Sequence, residues 1–415
     1  MKTASQYDVI VIGGGASGMM AAGRAALRGL RVLLLEKNEM LGAKLAISGG
    51  GRCNITNAED DEHLLLAKYG AAEKFLYATF AQFGVRDTFS FFESRGLSLK
   101  VEAQKRAFPK SERASDVVAV LKQYLAQGRV DVRNRVAVEK IFVENGRIEK
   151  VQTNGGDFSA SSYILATGGV SHQETGSTGD GLTWLTELGH TVAKPTPTIV
   201  PLKVKEGWVK ELSGVSLATM KVTFFVDGVK KFSKSGPLLF THFGISGPTI
   251  LNSAGKVATL LKEGVVTAHI DVFPEIDAGA LDKKITELFD ANKNKLLRNV
   301  LKEIVPPGTS NVFLALLPRV DPERKVHSVT KDERKMLVGL LKRIPLTITG
   351  LMGFDRAVVA DGGLLLTEVD MRTMQSRLYK NLFVTGDLLH IERPSGGYSL
   401  QLCWTTGSVA GTHAS

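Results

Sequence analysis

The beginning of the sequence alternates short apolar runs with a glycine-rich turn. Residues Tyr7–Ile12 (YDVIVI) are apolar and β-branched, as expected of a strand buried on both faces of a parallel sheet. The alanine- and methionine-rich stretch Met19–Arg28 predicts a helix that ends at Gly29. A second apolar run, Arg31–Glu36 (RVLLLE), predicts another strand. The order strand, helix, strand predicts a βαβ unit.

The alternation of predicted helices and strands continues as far as residue 192. Residues 62–95 and Asp116–Gln127 carry apolar side chains at helical spacing. Residues 130–166 read as strands separated by glycine-containing turns. This alternation of helices and strands is typical of an α/β fold.

A change in the pattern of predicted elements indicates an inserted segment. The Lys194-Pro195-Thr196-Pro197 sequence signals a boundary, after which residues 195–275 alternate like antiparallel strands with a hairpin at Val226–Val229. Residues 278–343 have helical periodicity, and strand and glycine signals return from Phe354. We predict a discontinuous nucleotide-binding domain at 1–192 and 346–415, a β-rich domain at 193–276 and a helical segment at 277–345.

Composition and charge narrow the class of protein. Of the 415 residues, 43% are hydrophobic and 23% are charged, which excludes a disordered or collagenous chain. The formal net charge of +10 allows a polyanionic partner, an anionic cofactor or merely scattered surface lysines. Two cysteines, Cys53 and Cys403, and no CxxC pair exclude a disulfide framework. No histidine or cysteine spacing suggests a metal site, and no signal or membrane-spanning segment is evident, so we expect a cytoplasmic protein.

The turn after the first strand has the spacing of a dinucleotide-binding site. Gly13, Gly15 and Gly18 form GxGxxG, and Glu36 ends the next strand. The glycines allow a tight turn, close approach of a pyrophosphate and close helix–strand packing. The helix N-terminus offers free N–H groups to phosphate, and the carboxylate can accept hydrogen bonds from ribose hydroxyls.

Two later strand ends select FAD among dinucleotides. The segment 381–387 (NLFVTGD) places Asp387 where two-dinucleotide-binding flavoproteins hold the ribityl chain, and 163–169 (YILATGG) carries the ATG turn that lies beside the cofactor in them. The segment 396–401 (GGYSLQ) then precedes a predicted helix. Its N-terminus would stabilise negative charge on the pyrimidine edge of reduced flavin.

Four longer stretches resemble a known family. They are 42–57 (GAKLAISGGGRCNITN), 176–181 (GSTGDG), 240–248 (FTHFGISGP) and the GGYSLQ segment. The chain is similar over essentially its whole length to bacterial three-domain flavoproteins that include the aminoacetone oxidase family and the 3-dehydro-bile-acid reductase-like proteins. The resemblance implies noncovalent FAD in a Rossmann-type two-dinucleotide-binding domain, an inserted β-barrel-like substrate domain and a small helical domain.

The sequence departs from that family near the expected flavin. The family often has Gly-Glu at the strand end where this chain has Gly386-Asp387. The following loop, 388–395 (LLHIERPS), also differs, as does Ala360-Asp361, where the family has threonine before a Gly-Gly pair. The substrate is therefore expected to differ from those of better-known members.

Motifs and resemblance together predict the cofactor-binding residues. They lie in the first turn, the strand ends, the loop after the second strand and the last helix: Gly13, Gly15, Ala16, Ser17, Gly18, Glu36, Lys37, Lys44, Ser48, Gly50, Gly51, Arg52, Cys53, Asn54, Val136, Ala166, Thr167, Gly168, Gly386, Asp387, Gly397, Tyr398, Ser399 and Leu400. Arg52 either holds an anion or makes a structural pair. For Cys53, a packed side chain is favoured over thiol chemistry because no cysteine is adjacent.

Catalytic candidates are His242, Arg52, His390 and Tyr398. Histidine suits proton transfer near neutral pH, and a structural role for each histidine stays open. Tyr398 would donate to a substrate or cover the flavin ring.

The favoured function is FAD-dependent hydride transfer between a small-molecule substrate and flavin N5. In one version NAD(P)H reduces the flavin and a conjugated alkene is reduced. In another, an amine or amino ketone is oxidised and oxygen reoxidises the flavin. We favour the first version. Because the chain has no second GxGxxG, we do not expect a separate NAD(P)H domain. A flavoprotein that binds or modifies tRNA is a third hypothesis, but no basic cluster with interleaved aromatic residues is visible, so nucleic acid is not expected. The oligomeric state stays open.

Overall fold

The computed structural model describes residues 7–415 and divides into two compact units. Unit 1 comprises the chain up to Pro197 together with Val358–Ser415, and unit 2 comprises Thr198–Ala357. The strands, in chain order, are β1 Tyr7–Ile12, β2 Val32–Glu36, β3 Thr56–Asn57, β4 Leu99–Glu102, β5 Arg106–Pro109, β6 Asp131–Asn134, β7 Val138–Glu144, β8 Arg147–Thr153, β9 Gly156–Phe158, β10 Ala160–Leu165, β11 Val192–Thr198, β12 Leu202–Val204, β13 Ser216–Val226, β14 Val229–Thr241, β15 Gly244–Ser246, β16 Val266–Asp271, β17 Ile344–Leu351, β18 Val359–Leu364, β19 Val369–Asp370, β20 Gln375–Ser376 and β21 Leu382–Val384.

The α-helices include those predicted from periodicity. They are α1 Ala16–Ala26, α2 Ala43–Ile47, α3 Glu62–Leu66, α4 Glu73–Phe80, α5 Val85–Glu93, α6 Ala114–Gln127, α7 Asp180–Glu187, α8 Pro248–Leu251, α9 Ala254–Leu260, α10 Ala278–Ala291, α11 Leu297–Ile304, α12 Ser310–Ala315, α13 Lys331–Lys342 and α14 Tyr398–His413. Of these, α8 and α9 lie in the segment 195–275, which was expected to contain antiparallel strands. Among these described helices, none combines the length and the apolarity needed to cross a bilayer.

A seven-stranded sheet organises unit 1, in the order β19-β20-β21-β10-β1-β2-β6. The five strands from β21 to β6 are parallel, with Val9 opposite Val32 and Ile164 opposite Phe383. The apolar side chains of β1 are buried, as expected of a central parallel strand. Parallel order brings the carboxyl ends of β1, β10 and β21 to one edge, and the predicted Rossmann-type α/β fold is confirmed.

Helix α14 packs on α1 through a close backbone contact. A Cβ on Gly411 would meet the carbonyl oxygen of Ala21, and would lie 2.9 Å from the Arg24 Cβ. Arg28 fixes the same end of α14 by donating to the carbonyls of Gly411 (3.0 Å) and Ala414 (2.6 Å). The last helix is therefore held against the first βαβ unit.

Unit 2 contains a closed barrel with strand order β12-β15-β14-β13-β16-β17. Its buried face includes Val222, Phe224 and Ile270, and residues from α10–α13 belong to the same apolar core. The predicted hairpin turn falls at Asp227-Gly228, between β13 and β14.

The unit boundaries differ from the predicted domain boundaries. Strand β17 crosses the boundary predicted at 345/346, and it pairs with β16 and β12 and completes the barrel. The helices of 277–345 pack with that barrel in one compact unit. The second boundary of the structure accordingly falls at Ala357/Val358 rather than at 345/346. The division into three domains stays a prediction.

The α1–α14 contact predicts a destabilising glycine substitution. Gly411→Ala forces the helix backbones apart, and we expect it to lower the free energy of unfolding by about 1–3 kcal/mol despite the better helix propensity of alanine. Gly339→Ala, in α13, is the control, because its added methyl group meets no atom within 4 Å. Denaturant unfolding monitored by circular dichroism tests both. Equal stability of the two variants would contradict the close contact.

Candidate functional site

The carboxyl edge of the parallel sheet carries the GxGxxG turn. Gly13 has a φ of +107°, and a Cβ there would lie 2.5 Å from the carbonyl oxygen of Ala166. A Cβ on Gly18 would meet the Gly13 carbonyl oxygen, so the turn can close this tightly only with glycine. Ala16, Ser17 and Gly18 form the first turn of α1, whose N–H groups have no intrahelical acceptor.

Open space lies at Gly15, the residue that precedes α1. A Cβ built there meets no atom within 4 Å, in contrast to Gly13 and Gly18. Its φ of −79° is accessible to any residue, so the backbone does not demand glycine. The space at a helix N-terminus fits a pyrophosphate that approaches the backbone closely. The residues present therefore fit the dinucleotide that the sequence predicts.

Glu36 lies at the end of β2, where the sequence predicts a contact with ribose. It is buried and accepts hydrogen bonds from the backbone N–H groups of Gly14 (2.8 Å) and Asn38 (2.7 Å). The N–H of Val136 donates to the Glu36 carbonyl at 3.0 Å. The side chain is thus held in place at the sheet edge, and its bond to ribose stays a prediction. Lys37 is instead paired with Asp180 at 2.6 Å.

The ATG turn follows β10 beside the first turn. The Ala166 N–H donates to the carbonyl of Ile12 at 2.9 Å, which ties the two turns together. The buried Oγ1 of Thr167 has no hydrogen-bond partner within the described chain. Buried polar atoms are normally paired, so this hydroxyl is available to a bound group. Gly168 follows with a φ of +74°.

Asp387 lies in a cluster of buried charge beyond β21. Its carboxylate accepts from Lys44 at 3.4 Å and from the Arg393 guanidinium. Burial would raise the pKa of Asp387, but Arg393 and then Lys44 outweigh it and hold that pKa below its usual range. Asp387 is therefore ionised at neutral pH. The preceding Gly386 N–H donates to Thr406 Oγ1 of α14 at 3.0 Å.

The N-terminal turn of α14 lies against this cluster. The Ser399 hydroxyl accepts from Arg393 Nε at 3.0 Å. Gly397, the residue before α14, has a φ of +101° and packs against the backbone of Thr56. With its amide oriented to satisfy both ends, Asn54 accepts from the Gly397 N–H at 3.0 Å. Leu400, the remaining predicted contact on α14, is half-buried.

The loop after β2 separates into open and packed positions. A Cβ on Gly50 or Gly51 meets nothing within 4 Å, whereas Ser48 Oγ donates to the Leu45 carbonyl at 2.7 Å. Cys53 is fully buried with a φ of +60°. Burial raises the pKa of its thiol to about 12, against a smaller opposing effect of Ser48. Because little thiolate forms at neutral pH, the structure favours the packing role predicted for Cys53 over redox chemistry.

Arg52 pairs with protein carboxylates. It donates to Glu102 at 2.5 Å and to Glu112 at 3.1 Å, and its guanidinium stacks on the Phe108 ring at 4.2 Å. Lys100 contacts both of these carboxylates as well. These contacts favour the structural alternative for Arg52 over the anion-binding one.

The remaining catalytic candidates differ in exposure and in unit. His242 is exposed in the β14–β15 turn of unit 2, where its ring packs edge-on to Phe243 at 4.8 Å. His390 is half-buried in unit 1, and its backbone N–H donates to Leu364. Tyr398 is buried, and burial followed by Glu59 raises its phenol pKa. The phenol of Tyr398 is therefore protonated at neutral pH.

Arg393 is the residue that sequence reasoning missed. Its side chain is 1% exposed, and it bridges Asp387, Ser399 and the Ile391 carbonyl (2.5 Å). The departure of loop 388–395 from the family pattern drew attention to this segment, but the sequence does not reveal that its arginine is buried.

Gly15 provides a direct test of the pyrophosphate position. We expect Gly15→Val to fold normally and to lose bound FAD, because its side chain fills space that no protein atom occupies. Flavin absorbance per mole of purified protein measures retention, and thermal unfolding checks the fold. Gly350→Val, on β17 and also without a neighbour within 4 Å, is the control that should stay fully loaded. A stoichiometrically yellow Gly15→Val protein would refute the assignment.

Comparisons with known proteins agree with this geometry. The model of the HI0933-like protein Rossmann domain family matches residues 7–413. A 3-dehydro-bile acid delta(4,6)-reductase of Clostridium scindens is 31% identical over 407 residues, which are 97% of this chain and 98% of that protein. A ribosomal RNA dihydrouridine synthase of Haemophilus influenzae is 26% identical, covering 97% of each chain.

A solved structure shows the same fold at low identity. The 3-ketosteroid-delta4-(5alpha)-dehydrogenase of Rhodococcus jostii aligns with a TM-score of 0.55 at 14% identity, covering 99% of this chain and 97% of that one. The family match spans nearly every residue and the reductase relative is similar from end to end. The chain therefore belongs to the HI0933-like Rossmann FAD-binding family and is an FAD-dependent oxidoreductase.

Proposed function

We propose that this enzyme reduces a carbon–carbon double bond conjugated to a carbonyl group in a small molecule, with NAD(P)H as the electron donor. The observation that carries the proposal is the end-to-end similarity, at 31% identity, to a relative named as a delta(4,6)-reductase. The dihydrouridine synthase name points to the same chemical change, because uracil also contains a carbon–carbon double bond conjugated to a carbonyl.

Residues of unit 1 could hold the cofactor and supply the proton for this reaction. Reduced FAD, when bound, would supply the hydride for the carbon β to the carbonyl, and the α-carbon would take a proton. Gly15 and the first turn of α1 would hold the pyrophosphate, while Asp387 would hold the ribityl chain. Tyr398 carries its proton at neutral pH, as an ordinary tyrosine does, and would be the proton donor. Burial raises its pKa and makes it a weaker acid.

The donor would share the substrate site. The chain has a single GxGxxG, which the predicted FAD site uses, so no separate NAD(P)H domain is expected. NAD(P)H and the alkene would then visit the flavin in turn, and we expect ping-pong kinetics.

Anaerobic stopped-flow spectroscopy tests the proposal. We expect NADH or NADPH to bleach the flavin at least as fast as turnover, and a polycyclic 4-en-3-one to restore the colour. Aminoacetone under nitrogen serves as the comparison. If aminoacetone bleaches the flavin and neither nicotinamide does, the amine oxidase alternative replaces the reductase.

Reduction of uridine in RNA is the second candidate, favoured by one face of the barrel. The rings of Phe225 on β13 and His269 on β16 lie 4.7 Å apart between centroids, with an interplanar angle of 51°. Lys230 is the cross-strand partner of Phe225, and exposed Lys221 lies on the same strand as Phe225. Burial and then nearby Arg343 lower the pKa of His269, which favours the neutral ring. Aromatic rings flanked by cations are typical of single-strand RNA binding.

Filter binding to ribosomal RNA fragments at two salt concentrations tests this candidate. We expect Phe225→Ala to weaken binding about fivefold to a hundredfold, the effect of losing one stacked base. Lys230→Gln should reduce the salt dependence by about one phosphate contact. Phe75→Ala, at an exposed phenylalanine of unit 1, is the control. Affinity no greater than for a random polyanion would remove the RNA candidate and leave the small-molecule proposal intact.

A further inference from the structure

The buried side chain of Arg393 connects two elements that the FAD site needs. It donates through one nitrogen to Asp387, at the end of β21, and through Nε to the Ser399 hydroxyl, at the start of α14. A third bond runs to the Ile391 carbonyl, within its own loop. Its planar guanidinium therefore fixes the carboxylate, the hydroxyl and the loop relative to one another.

The charges around Arg393 do not cancel. Lys44 and Arg393 both pair with the single carboxylate of Asp387. Glu174 also lies within electrostatic reach of Lys44, but it is exposed and its hydrogen bond goes to His172. Among the described residues, the cluster thus consists of two cations and one anion, with the side chains of Arg393, Asp387 and Lys44 exposed by 1%, 18% and 26%. Excess charge that is removed from water is costly unless an anion compensates it.

Flavin reduction supplies such an anion. Hydride addition at N5 brings two electrons and leaves negative charge on the N1–C2=O edge, which a nearby cation stabilises. Ser399 lies in the helix turn expected at that edge, and Arg393 holds its hydroxyl at 3.0 Å. Both observations place the Arg393 charge beside the predicted position of the flavin ring.

We propose that Arg393 is a positioning residue for FAD: it orients Asp387 and Ser399 toward the cofactor, and its charge makes the protein bind reduced flavin more tightly than oxidised flavin. The proposal rests on FAD binding and not on the identity of the substrate. It predicts a raised flavin midpoint potential, which favours acceptance of hydride from NAD(P)H.

The test measures the two-electron midpoint potential of FAD-loaded protein by dye equilibration, together with the Kd for oxidised FAD. For Arg393→Gln we expect the preference for reduced over oxidised flavin to fall about tenfold, which lowers the potential by about 30 mV. Arg393→Lys retains the positive charge but loses the planar guanidinium that binds several acceptors at once. Its midpoint potential should therefore stay near that of the unmodified protein, while its Kd for FAD rises.

Arg28→Gln is the matched control. Arg28 also ties α14 to the rest of unit 1 and also carries a positive charge, but it binds the carbonyls at the opposite end of that helix. Its loss should leave the potential unchanged. An unchanged potential in Arg393→Gln, or an equal fall in Arg28→Gln, would overturn the proposal. Neither measurement uses an alkene or NAD(P)H, so failure here is distinct from failure of the reductase proposal.

Discussion

Close backbone contact at the start of α1 is the constraint on which unit 1 depends. Gly18 lies against the carbonyl of Gly13, Gly13 lies against Ala166, and a Cβ on Gly407 would meet the carbonyl oxygen of Ser17. Any side chain at these positions would separate β1, β10 and α14. Because these segments converge, residues far apart in sequence meet at one edge of the sheet, and the N-terminus of α1 faces the space beside Gly15.

That geometry determines where charge can be buried. Asp387 follows the strand beside β10, so its carboxylate enters the interior with Lys44 and Arg393 as partners. Arg52, in the same loop as Lys44, satisfies its charge with Glu102 and Glu112 instead. Arg52 and Lys100 thus face two carboxylates, whereas Lys44 and the buried Arg393 share one.

Local pattern was sufficient for the elements and insufficient for their partners. The strand, helix and strand of the first βαβ unit lie within a few residues of their predicted bounds, because period and glycine placement determine them. The boundary predicted at 345/346 falls inside strand β17, because its partners β12 and β16 lie 73 or more residues earlier in the chain and periodicity does not reveal pairing. The same holds for Arg52 and Arg393, whose carboxylate partners and burial appear only in the folded chain.

The protonation of buried phenol and thiol groups limits which side chains can act as a base. Oxidation of an amine requires a base that takes a proton at neutral pH. Tyr398 is a poor base there, because burial and then Glu59 keep its phenol protonated, and burial likewise raises the pKa of Cys53 and Cys403 to about 12. Among the four catalytic candidates, a base at neutral pH would therefore have to come from a histidine, His242 or His390, rather than from Tyr398.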